Sequence, residues 1–118
     1  MDDRIALLKE KLAHGLKELA EIKVELDRAD GTVKGVPHYS VIENSAHQFG
    51  REVGRTVQER HARELVAQTM HQVTCPGCQH KVQPKSKKRT LTSLDGPVEV
   101  LETVAHCPTC RRDFFPST

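Results

Sequence analysis

The chain has no tryptophan, one tyrosine and three phenylalanines in 118 residues. Aromatic side chains supply much of the buried area of ordinary cores, so a large globular core is excluded and helices with narrow aliphatic seams are expected instead. No stretch approaches the run of about 20 apolar residues that a membrane span requires. The opening residues, Met1-Asp2-Asp3-Arg4, lead into an amphipathic pattern and lack the basic region, apolar run and cleavage site of a secretory signal. These absences predict a cytoplasmic protein with no membrane partner, and thiols stay reduced in that compartment. The four cysteines therefore require metal or redox chemistry rather than disulfides. No nucleophile–base pair, phosphate-cradling glycine loop or carboxylate constellation stands out. The chain is not expected to be an enzyme or to take a small-molecule substrate.

What is present divides into two textures. Residues 2–29 read as one long helix: Ile5, Leu12, Leu19 and Leu26 recur every seven residues, with Leu8, Gly15, Ile22 and Ala29 at the companion positions and Leu16 adjoining. Such a repeat flanked by Lys and Glu is the pattern of a coiled-coil seam. Asp2 and Asp3 suit the positive helix N-terminus, and Asp30-Gly31 ends the helix. A second helix is expected over about residues 41–71, with Ser40-Val41-Ile42-Glu43 as a capping box. Its apolar stripe is Ile42, Ala46, Phe49, Val53, Val57, Leu65 and Val66, and Gly50 and Gly54 are read as permitting close approach of the first helix. With about ten residues between them, the helices most simply form an antiparallel, coiled-coil-like hairpin. The same seam also allows a homodimer through the helices.

From residue 73 Cys, Pro and Gly appear together. The runs Thr90–Leu94 and Val98–Leu101 flank Asp95-Gly96-Pro97, the signature of a β-hairpin turn. The expected fold class is α+β: a helical hairpin over 1–72 followed by a small zinc-ribbon module over 73–118 that contains a β-hairpin.

The cysteines stand as Cys75-Pro76-Gly77-Cys78 and Cys107-Pro108-Thr109-Cys110, with 28 residues between the pairs. Two cysteines separated by two residues in a tight turn can point at one ion, and two such turns complete a tetrahedron of thiolates. Four soft thiolates with no open position suit one structural zinc ion. One Cys-X-X-Cys alone would leave a redox pair in contention; two of them bracketing a hairpin do not. His80 and His106 lie beside the pairs as conceivable substitute ligands. Phe114 and Phe115 are expected to cover the metal site or to pack against further chain.

Charge is balanced overall at a formal +2, but residues 75–118 carry seven Lys or Arg against four acids. Lys81, Lys85, Lys87, Lys88 and Arg89 fall between the first cysteine pair and the first expected strand, and Arg111 and Arg112 follow the second pair. Read as a basic loop projecting from the metal end, these seven could follow a nucleic-acid phosphate backbone. Aromatics for base stacking are scarce, which points to duplex DNA rather than single strands.

Taken together, the pieces resemble the N-terminal region of ISKra-type bacterial insertion-sequence transposases, a family of DDE recombinases. The resemblance is carried by Ile42-Glu43, Ala46-His47, Gly50-Arg51-Glu52 and Gln58-Glu59-Arg60. With them go Cys75-Pro76-Gly77-Cys78, the turn Leu91 to Val98, and Cys107 through Pro116. It implies a zinc-ribbon and helical region that helps to bind transposon-end DNA ahead of a catalytic domain. The family's Asp/Asp/Glu metal-binding residues belong far downstream, outside these 118 residues, so transposase activity is not carried over. The expectation is a non-catalytic transposase fragment, from a truncated frame or a separately encoded piece. Two alternatives remain open: a coiled-coil and zinc-ribbon adaptor for other proteins, and a small zinc-ribbon transcription-type regulator.

Overall fold

A computed structural model describes residues 2–115. The order of elements is α1 (Asp2–Ala29), α2 (Tyr39–Thr69), β1 (Val73–Thr74), β2 (Lys81–Val82), β3 (Lys85–Ser93), β4 (Gly96–Cys107) and β5 (Arg112–Phe114). The fold class is α+β, with two long helices followed by small antiparallel sheets. The expected division between residues 72 and 73 separates helices from strands. By spatial proximity the chain forms two compact units, Met1–His47 and Gln48–Thr118.

In the first unit α1 follows its expected bounds. Asp2 and Asp3 occupy its first turn and Arg28 its last, each sign suited to its end of the helix dipole. Beyond Ala29 the side chain of Asp30 accepts the N–H of Thr32 at 2.8 Å, a local turn that competes with helix, and Gly31 follows at φ +83°. The only buried residue of α1 is Asp27. Its carboxylate accepts bonds from Lys23 Nζ at 2.6 Å and from Ser45 Oγ at 2.9 Å. Val33 and Ile42 lie beside this polar clamp. Meanwhile Ile5, Leu8, Leu12, Leu16, Ile22 and Leu26 of the seam are 50–66 % exposed.

The second helix starts earlier than its capping box predicts. His38 is the cap: its Nδ1 accepts the N–H of Ser40 at 3.2 Å and pairs with the Ser40 hydroxyl at 2.8 Å. An imidazole lone pair at the N-cap satisfies an orphan helix donor just as a hydroxyl would. Ser40 is thereby inside the helix, and the Ser40–Glu43 box is not formed.

In the second unit, the remainder of α2 seats the β3–β4 hairpin with a polar face. Arg55 Nη1 donates to the carbonyl of Asp95 at 2.8 Å, Gln58 Nε2 donates to its carboxylate at 3.0 Å, and a Glu59 carboxylate oxygen accepts the N–H of Glu99 at 3.3 Å. Farther along, Thr69 and Thr103 share a short hydroxyl bond, and Val66 is buried. Gly54 makes room for the hairpin turn: a Cβ there would lie 2.6 Å from Asp95 Oδ2, whereas one on Gly50 would meet nothing within 4 Å. The room at Gly54 is used by the hairpin turn.

The hairpin is longer than expected. β3 and β4 pair continuously from Lys85↔Val104 to Ser93↔Gly96, leaving Leu94-Asp95 as the loop, and Gly96 takes φ +108°. Pro97 has β3 on one side and open edge on the other, because β5 pairs only with Ala105–Cys107; its missing N–H costs no ladder bond. Burial along β4 changes face midway. Val98 is buried at one end, Thr103, Ala105 and Cys107 at the other, so successive stretches of one strand serve opposite faces.

Candidate metal centre

Each cysteine pair sits at the tip of a two-stranded ladder. The first tip is closed by β1 and β2 through Val73↔Val82 and Thr74↔Lys81, the second by β4 and β5 through Cys107↔Arg112. The two turns share one backbone design. Gln79 N–H donates to the Cys75 carbonyl at 3.0 Å, and Arg111 N–H to that of Cys107 at 2.7 Å. The residue after each second cysteine is left-handed, Gln79 at φ +65° and Arg111 at φ +56°. Neither is glycine, so each turn holds a conformation that L-residues visit at a cost, which the pairing strands must offset. Gly77 permits close passage in the first turn, since a Cβ there would stand 3.2 Å from Cys110 Sγ.

These turns bring the four thiol sulfurs within 4.8 Å of one another. Cys78 and Cys107 Sγ are 3.3 Å apart, and Cys75 and Cys110 Sγ are 3.8 Å apart. A disulfide needs about 2.05 Å, so both distances exclude one. Four thiolates around a tetrahedral ion with bonds of about 2.3 Å would have edges near 3.8 Å. The donor set and its spacing fit a metal ion. Cys75 and Cys107 are buried, and Cys78 and Cys110 are half-buried.

The thiols also have the electrostatics of a site that wants a cation. The N–H groups of Cys78 and Gly77 point at Cys75 and lower its pKa to about 6. For Cys78 the N–H of His80 works in the same direction, but the neighbouring Cys107 and Cys75 side chains, with burial, raise the pKa overall. Cys110 is pushed up to about 12, first by Cys78 and then by Cys75 and burial. One thiolate forms readily, and each further negative charge is opposed by those already present. A bound divalent ion would reverse that opposition.

The sulfurs are also the core. The buried cluster of this region is Cys75, Val82, Ala105 and Cys107, with Val73, Cys78, Cys110 and Phe114 packed against it. Half of its members are the four cysteines, so an ion bound by the sulfurs would organise the fold around them. Phe114 covers the site as expected, whereas Phe115 is 66 % exposed and lines a cleft with Leu65, Val66 and Leu91. The histidines beside the pairs are outside the ligand set. His80 Nδ1 lies 3.2 Å from Cys78 Sγ, and His106 Nδ1 lies 2.8 Å from Asp113 Oδ1. His80 is thus an outer neighbour that can donate to a ligand sulfur, a role not read from the sequence.

The seven cationic residues are all exposed, but they do not form a loop. Lys81 is on β2, and Lys85, Lys87, Lys88 and Arg89 are on β3, paired throughout to β4. The stretch read as a polar loop is a strand because its partner supplies the apolar face and the ladder. Lysine stems need only lie along an exposed edge. Alternation puts Lys85, Lys87 and Arg89 on one face and Lys88 on the other. From Lys85 to Arg89 the row extends about 13 Å away from the metal end. Arg89 Nη1 bonds Glu102 at 3.1 Å; among the described residues it is the only one of the seven in an ion pair. Arg111 belongs to the second cysteine turn, and Arg112 stands opposite Cys107 on β5.

Comparison with known protein families, with curated proteins and with solved structures finds no match to this chain. No helix among the described residues is long and apolar enough to cross a membrane.

Proposed function

We propose that the chain is a zinc-stabilised, non-catalytic DNA-binding piece from the N-terminal region of an ISKra-type transposase, working in the cytoplasm. The observation that carries the metal part is the set of four sulfurs held within 4.8 Å by two like turns. An all-thiolate, closed set favours zinc over harder ions. In this reading Cys75, Cys78, Cys107 and Cys110 hold one zinc ion, the strands around it form a zinc ribbon, and the metal serves structure alone.

The DNA part is supported by the row on β3. Lys85, Lys87 and Lys88 are exposed, unpaired with acids among the described residues, and held at fixed spacing by the ladder. A rigid cationic row can neutralise successive phosphates without choosing a sequence. Lys81, Arg111 and Arg112 add charge nearer the metal.

β3 is also an edge strand in the order β3-β4-β5, and lysines on edges prevent strand-to-strand aggregation. That second reading would leave the adaptor alternative in command. The test is duplex binding by the full zinc-loaded chain across a salt series. Wild type should bind with a steep salt dependence. Changing Lys85, Lys87 and Lys88 together to Ala should weaken binding at low salt and flatten the log–log slope by about 3. Absence of salt-dependent binding by wild type would remove the DNA reading. Aggregation of the triple variant, with unchanged DNA affinity while soluble, would establish the edge-protecting role instead.

A further inference from the structure

The apolar seam of α1 lies outside the proposed metal and DNA sites and carries a long row of exposed aliphatic residues. Ile5, Leu8, Leu12, Leu16, Ile22 and Leu26 are each at least half exposed. They lie along a helix of 28 residues, about 42 Å long. Leu19 of the same seam is half-buried; scattered exposed leucines are ordinary, but six aligned along one helix mark a contact surface. A solitary helix of this composition also has little to hold it in water, because helical stability comes chiefly from packing of the apolar face.

The charges beside the seam identify what covers it. With Ile5, Leu12, Leu19 and Leu26 at the first core position of each heptad, one flank is Arg4, Lys11, Glu18 and Glu25. It is basic in its first half and acidic in its second. Among the described residues none of these four has an ion-pair partner. The other flank is Asp2, Lys9, Leu16 and Lys23, and Lys23 is bonded to Asp27 on its own helix.

We infer that α1 pairs with α1 of a second copy in antiparallel orientation, centred between residues 13 and 14. In that register Ile5 faces the second copy's Ile22, Leu8 faces its Leu19, and Leu12 fills the space over its Gly15. Arg4 stands opposite Glu25 and Lys11 opposite Glu18, and symmetry repeats both pairs. On the other flank Asp2 meets Lys23 and Lys9 meets Leu16, with no like charges opposed. A parallel pair sets each flank against the other instead. Arg4 would then meet Lys9, which is repulsive, Lys11 would meet Leu16, and only Glu18 with Lys23 would be favourable. Flanking charges of this kind set orientation and partner choice in paired helices. Gly15 also gains a use: it is the small position that receives Leu12 near the centre. This pairing does not depend on DNA binding and stands if that reading fails.

The experiment is sedimentation equilibrium of the full zinc-loaded chain from about 1 to 100 µM, in the usual range of weak helical dimers. Two charge variants accompany it, Glu18→Lys with Glu25→Lys, and Arg4→Glu with Lys11→Glu. The wild type should be dimeric. Each variant alone should dimerise more weakly by about tenfold or more, because four attractive pairs become repulsive. An equimolar mixture of the two should recover a heterodimer. Only the antiparallel arrangement predicts that recovery, since in a parallel pair the altered flank faces residues that neither variant changes. Circular dichroism of each variant checks that helix content is kept. A monomeric wild type would overturn the inference and assign the seam to the chain's own α2 or to a foreign partner. A dimer indifferent to both variants, or a mixture that fails to recover, would overturn it as well.

Discussion

α1 and the strand-rich region after it solve the problem of a small core in opposite ways. The helix satisfies its backbone locally and buries a single side chain, the carboxylate of Asp27. The strands have non-local ladders and bury Cys75, Val82, Pro84, Val98, Ala105 and Cys107. A helix closes its hydrogen bonds within one segment, so α1 depends on whatever covers its apolar seam and not on the strands. Strands cannot close theirs locally, because each ladder needs a distant stretch of chain to be held in place, at a cost in loop-closure entropy. In this chain the sulfurs are the point where the two ladders are tied. The consequence is a protein whose halves should respond differently to the same insult.

The sharpest way to break that contrast is to remove the tie. Cys107 is fully buried, stands 3.3 Å from Cys78 Sγ and accepts the N–H of Cys110 at 3.4 Å. On the proposed zinc reading the ion would supply about 10–16 kcal/mol, which matches or exceeds the whole stability of a typical domain. Stringent chelation, or Cys107→Ser, should therefore collapse the amide dispersion of residues 73–115 in NMR spectra. The helical circular dichroism of α1 should be largely retained. Elemental analysis should find one zinc per folded chain. Ladder resonances that survive chelation would show that Val82, Ala105 and Phe114 suffice without metal, and the contrast would fail.

The same contrast explains what could be read in advance. The helices were legible because periodicity is a local property: α1 lies at Asp2–Ala29 and α2 at Tyr39–Thr69, close to the expected 2–29 and 41–71. The cysteine turns were legible because metal spacing is local too. β3 was not, because Lys85 to Arg89 has no apolar alternation of its own. Its strand character comes from β4, which was itself read as ending at Leu101 when it continues to Cys107. The seating face of α2 was missed for a related reason. A search for apolar stripes passes over Arg55, Gln58 and Glu59, yet a helix that holds a turn by its backbone needs donors and acceptors. The cap at His38 escaped because Ser40 offers the more familiar chemistry.

A smaller effect tests the helix side of the contrast. Lys23 holds the Asp27 carboxyl below its ordinary range, against the effect of burial, and Ser45 adds to it. A carboxyl lowered on folding stabilises the clamp fully above its unfolded pKa of about 3.9 and loses that contribution as pH falls toward the folded value. Hydrogen exchange over residues 31–45, the connection and the first turns of α2, should therefore be faster in Asp27→Asn than in wild type at pH 6. As pH falls below about 4 and on through the folded value, the two should converge. Ladder amides at 85–107 should show no such dependence on Asp27. A clamp insensitive to acid would mean that Val33 and Ile42, not the carboxylate, secure the base of α1.

The smallest effect separates two glycines of one helix. Gly50→Ala adds a methyl to open space and should raise stability by about 1 kcal/mol, the difference in helix propensity. Gly54→Ala has the same propensity gain but places its Cβ 2.6 Å from Asp95 Oδ2 and 2.9 Å from Cγ. To relieve that contact the carboxylate must swing away and give up the bond from Gln58. The gain should be cancelled, leaving stability at or below wild type in urea unfolding followed by the strand signal. Repeating Gly54→Ala in an Asp95→Ala background should restore the gain, because the obstructing group is gone; the cycle isolates the contact from the propensity. Equal stabilisation by the two single variants would mean that the turn does not rest on α2. The hairpin would then depend on the metal end alone, and the two halves of the molecule would differ even more than their burial suggests.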